Sequence, residues 1–253
     1  MKPKTGKTKC FTPKHYQDLI TWHLNDIFKG PLDSTYRPKI LEPAVGDGAL
    51  ITGVIDRVFM SYDLTALDIE PQFSGTIPMD FMDFNTDEKF DICIMNPPYI
   101  QFDKKKYPTQ GKTYGISGKN NLFDAFIVKA MSHITDGGYC IALVPSNVCR
   151  RDTNPAINKW NIFRIVESFV KFPGVGIMQY SILFIKNEPY NKDIEPEGYF
   201  DYDKHRVIDH CVIRNKDYEL MYDMRYNWLK LKDVCDCEDN DITPYLIPEG
   251  EDA

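Results

Sequence analysis

Apolar side chains recur at Tyr16, Leu19, Ile20, His23, Leu24 and Ile27, the spacing of one helix face, and stop before Gly30-Pro31. This pattern predicts a helix over 13–28. Short apolar runs then alternate with longer amphipathic stretches. Strands are predicted at 39–41, 64–68, 77–79, 91–95, 139–144, 164–169 and 181–186, with a helix over 48–59 between the first two. The clearest later helix spans 120–135, where Leu122, Phe123, Phe126, Ile127, Ala130, Met131 and Ile134 share one face. The segment 100–119, rich in Lys, Gly and Tyr, reads as a long loop. Strands alternating with helices argue for an α/β fold: a doubly wound, mostly parallel seven-stranded sheet covered on both faces. The interval from Phe172 to Lys186 leaves no room for a helical crossover, so the last strand is expected to be antiparallel to its neighbour.

Two motifs sit where predicted strands end. Asn96-Pro97-Pro98-Tyr99 follows the apolar run Ile92-Cys93-Ile94-Met95. An Asn amide oxygen and a Pro carbonyl can both accept hydrogen bonds from a planar NH2 group. Together they would draw its nitrogen toward tetrahedral geometry, and the Tyr99 ring would stack on the plane being held. Asn-Pro is also common turn chemistry, so the motif alone decides little. The second motif, Glu42-Pro43-Ala44-Val45-Gly46-Asp47-Gly48, follows the first strand. Gly46 and Gly48 let the backbone approach a ligand closely, although the spacing is not that of a dinucleotide fingerprint. Asp68, followed by Ile69, closes the second strand, where a carboxylate is suited to grip a ribose diol. Asp80 and Phe81 follow the third, placed to accept from an adenine amino group and to pack on its ring. A single acidic strand end is usually a cap or turn residue; three in succession ahead of Asn96 point to a nucleoside-bearing ligand.

The two motifs together resemble those of the S-adenosylmethionine-dependent DNA adenine-N6 methyltransferases, in the group whose donor motifs precede the catalytic motif. Phe11-Thr12-Pro13 is similar to that group's N-terminal motif, which lies over the donor's methionine part, although Thr12 is also a natural helix N-cap with Pro13 at the first helical position. Gly137-Gly138-Tyr139 running into Ile141–Ser146 resembles the family's fifth-strand motif, and Phe172-Pro173 through Ile185 its final hairpin. The resemblance spans 9–186 and implies a Rossmann-like methyltransferase fold with S-adenosyl-L-methionine as cofactor. It implies donor contacts from Phe11, Thr12, Pro13, Glu42, Pro43, Ala44, Gly46, Gly48, Asp68, Ile69, Asp80 and Phe81, with Asn96 and Pro98 bordering the donor. Asn96, Pro97, Pro98 and Tyr99 would carry catalysis, Tyr99 and Phe172 would hold a flipped adenine, and DNA would be the partner.

Charge and composition sharpen this picture. The net charge is −7, but residues 1–186 carry 22 Lys+Arg against 19 Asp+Glu, whereas 187–253 carry 8 against 18. The positive charge clusters at Lys2, Lys4, Lys7, Lys9 and Lys14, then at Lys104, Lys105, Lys106, Lys112 and Lys119. Beside a base-modifying site, phosphate contact is the better reading of Lys104, Lys105 and Lys106, although most such runs are solvated loops. No run of about eighteen apolar residues predicts a membrane span, and no apolar segment follows the basic start. Seven scattered cysteines without paired spacing suggest neither zinc nor disulfides, and fit a cytoplasmic protein without a metal. The expected organisation is a methyltransferase domain over 1–186 and an acidic, aromatic-containing appendage over 187–253. That appendage is short for the family's usual target-recognition domain, so a separate specificity subunit or partner chain enters the picture. Two other functions use the same residues: methylation of RNA adenine or of a protein glutamine, whose amide presents the same planar NH2, and a methyltransferase-like fold serving only as a binding subunit.

Overall fold

The computed structural model describes residues 11–28, 36–117, 120–145, 160–168, 180–189 and 191, and the backbone of 197–201 and 207–212. Strands β1 (Lys39–Glu42), β2 (Asp63–Asp68), β3 (Ile77–Pro78), β4 (Phe90–Met95), β5 (Ile134–Pro145), β6 (Asn161–Ser168), β7 (Tyr180–Lys186), β8 (Glu197–Asp201) and β9 (Val207–Val212) form one sheet in the order β3-β2-β1-β4-β5-β7-β6-β8-β9. The strands from β3 across to β5 are parallel, and β7 runs antiparallel to both β5 and β6. The doubly wound sheet with its reversed seventh strand is as expected. It also continues beyond seven strands: β8 pairs in parallel with β6, and β9 closes antiparallel on β8. The backbone of 197–201 and 207–212 therefore shares the domain's sheet, although the sequence set this stretch apart as an appendage.

Strict alternation along the central strands explains why the sheet is covered twice. Ile92, Ile94, Ile141, Leu143, Ile182 and Phe184 point into one core. Cys93, Met95, Cys140, Ala142, Leu183 and Ile185 point into the other. Near-continuous apolar runs are what two buried faces require. Helix α1 (Lys14–Ile27) and the helical segment 49–58 cover the first face. Within 49–58, Ile51–Ile55 forms a π-helical turn before α2 (Asp56–Val58). Helix α4 (Leu122–His133) covers the second; its Asp124 carboxylate accepts from the Asn121 amide at 2.8 Å and closes the start of the helix. The predicted loop contains a short helix, α3 (Pro108–Tyr114), entered at Pro108 and ended by Gly115 in the left-handed region.

Helix α1 is fixed from inside. Arg164 on β6 pairs with the partly exposed Asp26 at 2.8 Å and approaches the buried His23 Nδ1 at 3.2 Å. Burial, then the Arg164 charge, lowers the His23 pKa to about 3, so the imidazole is neutral and can accept from the guanidinium. Removing Asp26 would leave the buried Arg164 charge without its carboxylate, which is more costly than losing an exposed pair. This anchor fixes the last turns of α1 against β6, while near the helix start His15 lies 3.3 Å from Ser168 Oγ at the carboxyl end of the same strand.

Candidate active site

The carboxyl ends of β1, β2 and β4 meet where open α/β sheets bind ligands. After β1 the chain turns sharply: Val45 donates to the Leu67 carbonyl, and Gly48 to that of Val45, both at 2.9 Å. Gly46 and Gly48 have φ of +56° and +82°, a region that L side chains rarely adopt. A Cβ on Gly48 would also lie 2.1 Å from the Phe73 ring, so the ring and turn interlock. Asp68 fixes this turn by accepting from Gly46 N at 2.9 Å and from Glu70 N at 2.7 Å. The sequence assigned Asp68 to a ribose diol; the structure shows both carboxylate oxygens already organising backbone, with further lone pairs remaining.

A shallow, open cleft lies over the turn and brings together Phe11, Thr12, Glu42, Ala44, Gly46 and Asn96 from the expected set. Its wall also includes Val45, Asp47, Ala49 and Leu50, which were not among the expected donor contacts. Pro13 instead caps α1 at its entry, with Lys14 as the first helical residue. The expected Thr12 N-cap is thus shifted by one residue, and the Thr12 hydroxyl accepts from Asn96 Nδ2 at 3.0 Å. Pro43 is buried beneath the turn, and the exposed Ile69 follows Asp68 at the rim.

Glu42 is the least satisfied group of the cleft. Its side chain is 1% exposed and its Oε2 has no hydrogen-bond partner. Burial foremost, then the charges of Asp47 and Asp68, pushes its carboxyl well above the usual range. A buried acceptor left without a donor is costly, and it is satisfied by a ligand carrying positive charge or N–H groups.

Asn96 leaves the end of β4 with both ends of its carboxamide engaged. Thr12 receives the nitrogen end, and the Tyr99 hydroxyl lies against Oδ1. That hydroxyl also reaches the Leu143 carbonyl at 3.0 Å. The Tyr99 ring lies 5.2 Å from Tyr180 and 6.2 Å from Phe123, centroid to centroid. The sequence assigned Tyr99 a stacking face; it did not reveal that its hydroxyl also orients Asn96. Pro97 is buried and Pro98 half-buried, both in trans linkage.

On the neighbouring edge, Asp80 opens a 3-10 turn, Phe81–Asp83, and caps it by accepting from Met82 N at 3.0 Å. Phe81 departs from its expected role. Its ring is 1% exposed and packs on Phe126 at 5.1 Å, so it belongs to the core and cannot stack on a ligand. Lys106 departs likewise: it pairs with Asp80 at 2.7 Å instead of standing free for phosphate, while Lys104 and Lys105 remain exposed. Phe172, Lys2, Lys4, Lys7, Lys9 and Lys119 lie outside the described residues. Among the described residues no group of His, Cys, Asp and Glu is arranged to hold a metal ion, and no helix is long and apolar enough to cross a membrane.

Comparison with known proteins shows what this geometry resembles. Residues 63–172 match the Eco57I restriction-modification methylase family. The Type II methyltransferase M.TthHB8I of Thermus thermophilus is 32% identical over 126 residues, covering 43% of this chain and 29% of that protein. The Type II methyltransferase M.CvrRI of Paramecium bursaria Chlorella virus XZ-6E is 28% identical over 151 residues, covering 54% and 36%. The chain thus spans about a third of the length of these two relatives. In fold it is similar to a putative class I S-adenosylmethionine-dependent methyltransferase from Listeria monocytogenes, with TM-score 0.60, 16% identity and coverage of 86% and 71%. It is also similar to a type I restriction-modification methyltransferase subunit from Streptococcus thermophilus, with TM-score 0.57, 14% identity and coverage of 86% and 53%. Sequence and fold agree: residues 63–172 are similar to the restriction-modification methylases, and the sheet has the fold of these methyltransferase structures.

Proposed function

We propose that this chain methylates the N6 amino group of adenine in DNA, taking the base out of the stack to do so. The observation that carries the reading is Asn96: a carboxamide held at both ends, opening onto the same cleft as Glu42 and Gly46. That juxtaposition suits transfer between a donor over the β1 turn and an amine at the end of β4.

The residues fit the donor. Its methyl group, carried on a sulfonium, is activated for direct displacement. The orphaned Glu42 carboxyl offers an acceptor to a cationic ligand, and the turn at Gly46 presents main chain without a Cβ in the way. Asp68 keeps that turn in place, and Asp80 offers an acceptor to the donor's purine amine. On the target side, Asn96 Oδ1 and the Pro97 carbonyl accept from the adenine amine, drawing its lone pair out of conjugation. Thr12 and Tyr99 keep Asn96 from rotating, and orientation of this kind supplies much of the rate. Extrusion is required because a stacked amine cannot reach a buried donor. Exposed Lys104 and Lys105 meet phosphate, and a specificity subunit or partner chain selects the sequence. The reaction takes place in the cytoplasm, where the buried free thiols Cys93 and Cys140 stay reduced.

The test is transfer of labelled methyl from S-adenosylmethionine to DNA, RNA and protein pools, with the modified nucleoside identified by mass spectrometry. N6-methyladenine in DNA is the expected product. Asn96→Ala should depress turnover by roughly 100-fold or more while donor affinity stays within about threefold, because amine polarisation matters most in the transition state. Label in RNA or on glutamine would replace the substrate assignment. Donor binding with no transfer to any pool would make the chain a binding subunit.

A further inference from the structure

Asp80 is surrounded by donors that come from the target side of the site. Its Oδ2 accepts from Lys106 Nζ and from the Tyr107 hydroxyl, both at 2.7 Å, and its Oδ1 accepts from Met82 N. Lys106 Nζ lies 2.5 Å from the Tyr107 oxygen, so the ammonium donates to the phenol while the phenol donates to the carboxylate. This arrangement is built by its local sequence. Asp103 gathers the turn, its carboxylate accepting from Lys105 N and Lys106 N and its carbonyl from Tyr107 N. Tyr107 is 4% exposed and lies 5.6 Å from Phe102, ring to ring, which leaves only its hydroxyl to reach out. The receiving turn is clamped as well: Gln110 Nε2 reaches the Met82 carbonyl at 3.3 Å, and Lys129 Nζ reaches it at 2.8 Å from the core.

A carboxylate has about four acceptor positions, and three of them are used here. The remaining one, on Oδ1, can only accept. Burial alone would push Asp80 toward its neutral form, but the Lys106 and Tyr107 hydrogen bonds bring its carboxyl below the ordinary range. Without them, a half-buried Asp80 could protonate and turn a donor outward.

We propose that Lys106 and Tyr107 are specificity-determining positioning residues of the donor's purine subsite: they hold Asp80 so that its one open position accepts, which selects a 6-amino purine over a 6-oxo purine. The inference rests on the functional reading that places the donor's purine at Asp80. A 6-amino group donates to that position, whereas a 6-oxo group turns an acceptor toward an acceptor. The two residues thereby serve the donor from a segment the sequence assigns to the target strand. Lys106 is a purine-selecting residue and not a phosphate clamp.

The experiment measures calorimetric affinities of the full chain for S-adenosylhomocysteine and for S-inosylhomocysteine, its 6-oxo counterpart. The proteins are wild type, Lys106→Met, Lys106→Arg, Tyr107→Phe and Asp80→Asn, each checked for folding by thermal melting. Wild type should prefer the 6-amino ligand by roughly 10-fold or more, a preference that rests on pairing of buried polar groups. Lys106→Met and Tyr107→Phe should each narrow the preference by about 3-fold or more, and Lys106→Arg should restore it. Asp80→Asn should remove it. If Asp80→Asn abolishes the preference while Lys106→Met and Tyr107→Phe retain it, the inference is overturned and the functional reading stands. If both variants weaken the two ligands equally, their role is structural and the inference is likewise overturned. If Asp80→Asn keeps the full preference, or wild type binds neither ligand, the placement of the donor's purine is itself wrong.

Discussion

Glu42→Gln separates two demands on the cleft, because the native carboxyl is costly to the fold and, on the proposed function, useful to the donor. Glu42 ends β1 with 1% exposure, an unpartnered Oε2, and Asp47 and Asp68 close enough to oppose its ionisation. Its folded pKa is therefore raised well above the unfolded value. Between those two values the folded state binds more protons than the unfolded state, so this group's contribution to stability falls as pH rises through that window. Below the unfolded value, near 4.5, the contribution is intact. A Gln of the same shape carries no such dependence. The variant should match wild type at pH 4.5 and become more stable than it as pH rises toward 8, by about 1–3 kcal/mol, the cost of an uncompensated buried polar group. For a domain of this size each kcal/mol moves Tm by about 2–4 °C. Donor affinity should move the other way, falling roughly 10–100-fold, since a hydrogen bond to a charged group is worth about 1.5–3 kcal/mol. Melting curves from pH 4.5 to 8, with calorimetry at neutral pH, test both halves. A stability difference independent of pH would show that Glu42 does not carry the buried charge cost, and unchanged donor affinity would remove it from the site.

Tyr99→Phe keeps the ring but strips the single hydroxyl hydrogen shared between Asn96 Oδ1 and the Leu143 carbonyl; it should cost about 0.5–1.5 kcal/mol of stability and lower turnover with donor affinity intact. Tyr99→Ala also removes the packing on Tyr180 and Phe123 and should cost about 3–5 kcal/mol. Equal melting temperatures for wild type and Tyr99→Phe would deny the hydroxyl its role. Lys104→Ala with Lys105→Ala should make the log–log salt dependence of DNA binding shallower by roughly 1.8, about 0.9 for each phosphate contact. Lys106 is left in place because it serves Asp80. An unchanged slope would return both lysines to ordinary solvated surface.

The fold was legible because its signals are local. Apolar alternation in Ile92–Met95 and Ile141–Val144 requires two covered faces, and the short return before Tyr180–Lys186 requires a reversed strand. The motifs likewise fall where strand ends must converge. The β8–β9 extension was missed because its acidic and aromatic stretch shows no apolar alternation against the central strands. Helix α3 was missed because Gly, Lys and Thr weaken its periodicity, and only Pro108 and Gly115 mark its ends.

Side-chain roles were read less well, and for one physical reason. A carboxylate or hydroxyl can serve several partners, and sequence spacing cannot say which of them folding brings near. Asp68 spends two acceptor positions on main chain. Thr12 faces Asn96 across 84 residues of sequence, and Lys106 faces Asp80 across 26. Phe81 follows an acidic strand end as a stacking residue would, yet the turn that Asp80 caps rotates its ring into the core. Each case involves a group whose partner comes from another element, so the decision belongs to the tertiary fold. On the proposed function, donor and target residues are therefore not independent sets. Thr12, on the donor's side, orients Asn96, while Lys106 and Tyr107, on the target's side, orient Asp80. A substitution on either side should therefore be measured against both ligands before it is assigned to one.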